Sequence, residues 1–230
     1  MWVRRDLVVT FDLFSALIDS RTGGSRHFAR LAEHRGWCLS GTTLFDTWDR
    51  NNKMSQRSTT EWITFAEHSS RALRMTYQHF GLTADADADA RGLLAHVSAW
   101  PIWPGVAEDL PRIAQEFSTG ILSNVDDDVF RRTRVASLVG DAHILTSERL
   151  GAYKPDANIY TKALAHAGQS GYVHVASSAR DVRGALESGI RVIRLVRPGH
   201  VVDPDGPAPA VEVESLDGVV RQLRAGFGNT

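Results

Sequence analysis

The chain has 230 residues, of which 43% are hydrophobic and 23% charged, so it can bury the core of one large domain or of one domain with an insert. A formal net charge of −1 argues against nucleic acid or an anionic membrane as a partner, and the single cysteine, Cys38, excludes a disulfide within the chain. No apolar run approaches the roughly 20 residues that span a bilayer, and the N-terminus lacks a signal-peptide pattern, so we expect a cytoplasmic protein.

Six short apolar runs rich in β-branched residues recur along the chain, and most are followed by a turn and a helical pattern. Continuous apolar runs are typical of strands that are buried on both faces of a parallel sheet. The alternation predicts a doubly wound, Rossmann-like α/β core. The predicted strands are Leu7–Leu13, Thr119–Asn124, His143–Glu148, Tyr172–Ser177, Arg191–Val196 and Val211–Ser215.

The alternation is interrupted between the first two strands, where the sequence predicts helices only. In "SRHFARLAEHRGW", for example, the apolar residues share one helical face. The prolines of "WPIWPGV" then stop the last helix and mark the return to the α/β pattern. We therefore predict a helical cap over residues 20–97, inserted after the first strand of a core made of residues 1–19 and 98–230.

Polar residues follow several of the predicted strands. Asp12 ends the first strand, Ser123 and Asn124 end the second, and Asp181 comes shortly after the fourth, while Lys154 precedes a helix in "LGAYKPDANIY". Taken singly, such residues are usually turn formers, helix caps or surface charges. Ligands of an open parallel sheet bind beyond the carboxyl ends of its strands, so as an ordered set these residues predict a site at that edge.

The ordered set resembles the four motifs of the haloacid dehalogenase superfamily. "FDLFSALIDS" resembles the first motif, "GILSN" the second, "GAYKPDANIY" the third and "VASSARDVRGALESG" the fourth, and the superfamily has its cap between the first two. The resemblance implies that Asp12 attacks a small-molecule substrate and forms a covalent ester, with Lys154 orienting it and Ser123 binding the acidic or departing group. The sequence does not decide whether the protein forms a homodimer through a face of the cap.

Phe14 distinguishes two branches of this superfamily. Its phosphatases have a second aspartate at that place, which protonates the leaving alkoxide and later activates water. Its dehalogenases have an aromatic residue there, because halide leaves without a proton, and they also have a tyrosine that matches Tyr160. The resemblance implies that Asp181 activates water and that Ser178, in the place of an asparagine, helps to position it. The candidate substrate-binding residues are Phe14, Asn124, Arg50, Tyr160 and Ser178.

Three features depart from the dehalogenase pattern. Ser15-Ala16 stands where the dehalogenases have a Gly-Thr pair. The glycine of that pair eases a tight turn, and the hydroxyl of its threonine contacts the site. Ala176 takes the place of a serine in the fourth motif, where phosphatases have a metal-binding acid. The dehalogenases bind the substrate with a cap arginine that lies near a tryptophan. Arg50 lies one residue further from Trp48 than that arginine does, so it either takes this role from a displaced position or is an ordinary surface arginine.

Three functions follow from these observations. The first is a hydrolase that needs no cofactor and displaces halide from a small 2-haloacid. The second is a Mg²⁺-dependent phosphatase, whose ion would be bound by Asp12, Asp181 and the carbonyl of Phe14. The third is a binding or regulatory protein of the same fold with altered catalytic residues.

Overall fold

A computed structural model of the chain describes residues 4–59, 61–168 and 171–227, and their side chains from residue 6 onward. The chain divides into two compact units. The α/β unit consists of Met1–Ile18, Ile102–Asn124 and Val135–Thr230, and the helical unit consists of Asp19–Pro101 and Val125–Arg134.

The α/β unit contains a six-stranded sheet in which every strand is parallel to its neighbours. The strand order is β3-β2-β1-β4-β5-β6, so the order reverses at β1 and connections wind to both sides of it. The predicted strands and the doubly wound α/β fold are therefore confirmed. The strands are β1 (Arg4–Phe11), β2 (Phe117–Ser123), β3 (His143–Thr146), β4 (Gly171–Ala176), β5 (Arg191–Leu195) and β6 (Val211–Val213).

Helices follow most strands of the sheet and fill the interval between β1 and β2. None of them, within the ranges given above, has the length and apolar character to cross a membrane. In chain order they are α1 (Ser20–Arg35), α2 (Gly41–Ser58), α3 (Phe65–Phe80), α4 (Ala86–Ala95), α5 (Val106–Glu116), α6 (Asp127–Arg132), α7 (Ser147–Leu150), α8 (Ala157–Ala167), α9 (Ala179–Glu187) and α10 (Leu216–Arg224).

One apolar cluster joins α8 and α9 to the sheet. Its members come from five strands and from the inward faces of the two helices, and burial of each valine, leucine or isoleucine side chain stabilises the fold by about 1.5–3 kcal/mol. Because both helices begin near the carboxyl ends of strands, this packing also fixes the residues at their first turns. The cluster includes Val8, Leu122, Leu145, Ile159, Ala163, Val182, Ala185 and Val192.

The helical unit contains α1 to α4 together with α6. Side chains that precede α1, α2, α3 and α4 accept hydrogen bonds from their first turns, as helix N-caps do. The predicted boundaries placed residues 125–134 in the core, whereas they lie in the helical unit. The buried carboxylate of Asp126 accounts for this difference, because it accepts hydrogen bonds from the backbone N–H groups of Phe65 (2.8 Å) and Ala66 (2.9 Å) at the start of α3.

Candidate active site

Asp12 directly follows β1, and residues Leu13–Leu17 form a single π-helical turn after it. Its backbone N–H donates to the carbonyl of Val175 on β4 at 2.9 Å, which fixes Asp12 to the middle of the sheet. Its Oδ2 accepts hydrogen bonds from the N–H (2.9 Å) and the hydroxyl of Ser15. Asp12 is thus a cap of the turn as well as a buried carboxylate, and Ser15 provides a hydroxyl where the superfamily has glycine.

The carbonyl groups of this turn are held by two side chains that sequence reasoning missed. Trp103 donates from Nε1 to the Ser15 carbonyl and from its backbone N–H to the Leu17 carbonyl, both at 3.0 Å. Arg197 donates from Nε to the Ala16 carbonyl at 3.1 Å, and its guanidinium lies 5.3 Å from the Trp103 ring. Burial lowers the pKa of Arg197 to about 10, so it stays charged at neutral pH. These contacts hold the turn in place although the Gly-Thr pair is absent.

Lys154 lies between two carboxylates. Its Nζ is 2.7 Å from Oδ1 of Asp12, 2.5 Å from Oδ2 of Asp181 and 2.8 Å from the carbonyl oxygen of Leu122. Three acceptors match the three protons of an ammonium group. The side chain is only 7% exposed, so these contacts replace its hydration.

Asn124 positions Lys154. Its Oδ1 accepts from the Lys154 N–H at 2.7 Å, and its Nδ2 donates to the Lys154 carbonyl at 2.9 Å. The amide thus holds the backbone of the lysine from both sides. The predicted direct contact of Asn124 with substrate stays a prediction, and the role that the structure gives this residue is orientation of Lys154.

The charges of the three groups stabilise one another. Burial raises the pKa values of Asp12 and Asp181. The charge and hydrogen bonds of Lys154, together with Ser15 at Asp12 and His174 at Asp181, outweigh burial and hold both pKa values below their ordinary values. Burial alone would lower the pKa of Lys154, but the two carboxylates raise it. All three groups are therefore ionised at neutral pH, and together they carry one net negative charge.

Asp181 lies in the first turn of α9, and three donors fix its carboxylate. Tyr160 donates its hydroxyl to Oδ1 at 2.9 Å, while Lys154 and Nε2 of His174 (3.1 Å) contact Oδ2. Burial and the charge of Asp181 raise the pKa of Tyr160, so it stays a phenol and a donor. The sequence predicted that Tyr160 binds substrate, whereas its hydroxyl is engaged with Asp181. His174 was not predicted to belong to the site.

The other site residues predicted from the sequence make fewer contacts with Asp12, Lys154 and Asp181. Ser123 is fully buried, and its hydroxyl lies 3.4 Å from Oδ1 of Asp12. Phe14 is partly exposed in the π-helical turn, and Ser178 is partly exposed at the start of α9, where its side chain makes no capping hydrogen bond. Arg50 is exposed on α2 of the helical unit, so its proposed role rests on the sequence alone.

The carboxylate oxygen atoms predicted to bind Mg²⁺ in a phosphatase already accept hydrogen bonds. Both oxygens of Asp12 and Oδ2 of Asp181 each accept two, and Lys154 lies where a cation shared by the two carboxylates would be bound. Within the described ranges, no group of three or more His, Cys, Asp and Glu side chains could hold a metal ion. Mg²⁺ is usually bound through one or two carboxylates and water, and here the Lys154 ammonium takes the place between the two carboxylates, so this arrangement does not fit the ion.

Gly184 on α9 provides the space for the Tyr160 ring. A Cβ atom at residue 184 would lie 2.7 Å from Cε2 and 2.9 Å from the hydroxyl oxygen of Tyr160. We therefore expect Gly184→Ala to displace the ring, to lower the free energy of unfolding by about 1–3 kcal/mol and to reduce kcat, because Asp181 loses a donor. Urea unfolding and steady-state kinetics measure the two effects.

The matched control is Gly92→Ala, in the interior of α4. A Cβ atom there has only one neighbour within 4 Å, Cε1 of His27 at 3.8 Å, so the same substitution should raise the free energy of unfolding by about 0.5–1 kcal/mol. If both substitutions changed the free energy of unfolding equally, the Tyr160 ring would be able to move without loss of stability.

Comparison with known proteins relates this site to one family. A family model described as "Hydrolase: haloacid dehalogenase-like hydrolase" matches residues 7–189. The (S)-2-haloacid dehalogenase of Pseudomonas sp. strain YL is 30% identical over 176 residues, which cover 73% of this chain and 74% of that protein.

Solved structures show the same fold. The L-2-haloacid dehalogenase from Xanthobacter autotrophicus is 19% identical, and the match covers 97% of this chain and 99% of that chain with a TM-score of 0.80. A second structure of that protein, with chloropropionic acid covalently bound, has the same identity and coverage and a TM-score of 0.79.

Proposed function

The chain belongs to the haloacid dehalogenase-like hydrolases, and on that premise we propose that it displaces halide from small 2-haloacids through an ester formed on Asp12. The observation that carries this proposal is the Lys154 ammonium between the Asp12 and Asp181 carboxylates, because it keeps Asp12 ionised and fixed in a buried site. The names of the relatives given above describe them as 2-haloacid dehalogenases, which agrees with this chemistry.

In the first half of the reaction, a carboxylate oxygen of Asp12 attacks the carbon that carries the halogen. A carbon–oxygen bond forms, the carbon–halogen bond breaks, and halide leaves with the bonding electron pair. Since halide needs no proton, Phe14 is acceptable two residues after the nucleophile, where a phosphatase needs an acid. Ser123, whose hydroxyl lies 3.4 Å from Oδ1, is the proposed donor to the departing group or to the substrate carboxylate.

In the second half, water attacks Cγ of the Asp12 ester. The bond between Cγ and the ester oxygen breaks, the 2-hydroxyacid leaves, and the carboxylate of Asp12 is restored. One proton of the water passes to Asp181, and the other passes from the restored carboxyl group of Asp12 to the alkoxide product. Asp181 then releases its proton to solvent, so the net products are a hydroxyacid and hydrogen halide. Ser178 is the proposed partner of Asp181 in positioning this water, and Arg50 of the helical unit is the proposed contact for the substrate carboxylate.

This assignment needs no metal ion. Lys154 supplies the positive charge beside the nucleophile, and the oxygen atoms that would bind Mg²⁺ are hydrogen-bonded instead. We further propose that the helical unit is the cap domain of this enzyme. A homodimer and a location in the cytoplasm stay predictions from the sequence.

Two substrates test the proposed function. We expect the protein to release chloride from one enantiomer of 2-chloropropionate at the same rate with and without EDTA. We expect no phosphate release from p-nitrophenyl phosphate with Mg²⁺. Chelator-sensitive phosphatase activity without chloride release would overturn the proposal in favour of a phosphatase, and inactivity on both 2-haloacids and phosphate esters would favour a binding protein.

A further inference from the structure

A chain of buried polar side chains extends from Asp181 into the sheet. Nε2 of His174 lies 3.1 Å from Oδ2 of Asp181, and its Nδ1 lies 3.0 Å from the hydroxyl of Thr10. The Thr10 hydroxyl lies 2.8 Å from the hydroxyl of Tyr172. The strand register produces this chain, because Thr10 on β1 is directly paired with His174 on β4, and both are 0% exposed.

The contact with Asp181 decides the role of one ring nitrogen of His174. An ionised carboxylate only accepts hydrogen bonds, so the contact with Asp181 requires a proton on Nε2. Nδ1 is engaged by the Thr10 hydroxyl, so both ring nitrogens of His174 have a partner. The Thr10 hydroxyl also contacts the Tyr172 hydroxyl, so the chain of polar groups that starts at Asp181 continues as far as Tyr172.

These polar groups lie where apolar side chains would serve packing better. On β1 and β4 their neighbours Val9, Phe11, Val173 and Val175 are all fully buried. Buried polar groups destabilise a fold unless they are hydrogen-bonded, and even then they add little to an apolar core. A role in the core alone does not explain a histidine at residue 174, whereas a contact with Asp181 does.

We propose that His174 is a positioning residue that holds the Asp181 carboxylate for ester hydrolysis. This inference rests on the proposed function above. While Asp12 is an ester it carries no negative charge, so Lys154 no longer has a second carboxylate that fixes its position. Tyr160 on Oδ1 and His174 on Oδ2 then fix the orientation of Asp181 together with Lys154. Among the described side chains, two donate to Oδ2 and one donates to Oδ1, so the acceptor position left for water is on Oδ1.

The test separates the two halves of the reaction in His174→Phe. Halide release in a single turnover should stay within about twofold of the wild type, because Asp12 and Lys154 are unchanged. Steady-state kcat should fall about tenfold to a hundredfold, since one hydrogen bond to a charged group is lost, and the aspartyl ester should accumulate in intact-protein mass spectra. In His174→Gln, whose amide can donate, part of the kcat should return and the ester should again be scarce.

Tyr172→Phe is the matched control at the far end of the chain, and its kcat should fall less than that of His174→Phe. The proposal is overturned if His174→Phe keeps the wild-type kcat. It is also overturned if kcat falls with no accumulation of ester, or if His174→Gln restores nothing while its melting temperature equals that of the wild type.

A measurement independent of turnover keeps this inference separate from the proposed function. In ¹⁵N-labelled protein, His174 should give a downfield imidazole proton signal on Nε2, which is absent in His174→Phe and shifted in Asp181→Asn. Failure of the wild type to release halide would overturn the proposed function alone. An Nε2 that carries no proton would instead refute the hydrogen bond that His174 donates to Asp181, and with it the positioning role.

Discussion

Replacing Asp12 by asparagine is expected to lower halide release by about 10⁴-fold or more while the protein stays folded. The amide of asparagine is a very poor nucleophile, so no ester forms. The fold should survive, because the amide oxygen can still accept from Ser15, and because Lys154 and Asp181 remain as a neutral pair. Chloride assays and circular dichroism measure the two outcomes.

The control is Asp141→Asn, which removes an exposed carboxylate and should leave the rate unchanged. A single turnover with excess enzyme in ¹⁸O water adds a direct test of the ester. Attack by Asp12 places the first ¹⁸O in the protein, whereas ¹⁸O that appears at once in the hydroxyacid would mean that water attacks the substrate. Near-normal turnover by Asp12→Asn would refute the nucleophile.

Lys154→Met should impair both catalysis and stability. The methionine fills a similar volume but leaves two buried carboxylates without their cation, which costs about 3–5 kcal/mol of unfolding free energy at neutral pH. We expect kcat to fall by about 10²- to 10³-fold, because the nucleophile loses its electrostatic partner. The matched control is Lys162→Met, an exposed lysine on α8, which should change neither quantity appreciably.

The stability deficit of Lys154→Met should depend on pH. In the wild type the pKa values of Asp12 and Asp181 lie below the ordinary value of 3.8, so their contribution is present above that pH and is lost as the pH falls further. In the variant, burial and mutual repulsion raise both pKa values, so the penalty is largest at neutral pH and shrinks on acidification. Urea unfolding should therefore show a smaller difference between the two proteins at pH 4 than at pH 7.

An equal deficit at pH 4 and pH 7 would contradict an electrostatic cause. It would mean that the variant loses packing around residue 154 rather than the neutralisation of two carboxylates. The pair of pH values thus distinguishes an electrostatic cause from a steric one.

The fold and the centre of the site follow from patterns along the chain. Apolar runs predict the strands, and a parallel sheet brings residues at their carboxyl ends to one edge, as Asp12 and Ser123 show. Lys154 and Asp181 come from loops and helix starts next to that edge. Their assembly could therefore be predicted from order along the chain without any coordinates.

The hydrogen-bond partner of each polar side chain could not be predicted from the order of residues along the chain. Asn124 and Tyr160 are at suitable places for substrate contact, yet their polar atoms bind Lys154 and Asp181. His174 is one polar residue within an apolar strand, and only the β1–β4 register shows that it lies beside Thr10. Asp126 joins α3 across 61 positions of sequence, a distance at which no local pattern carries information.

The place of Asp12 after the middle strand also bears on how the enzyme loses activity under stress. β1 is flanked by β2 and β4, so its amide hydrogens are protected from solvent exchange until the sheet itself opens. Fraying of the outer strands β3 and β6 would leave Asp12 and its backbone hydrogen bond to Val175 intact. Heat should therefore displace Asp12 itself only when the sheet unfolds globally.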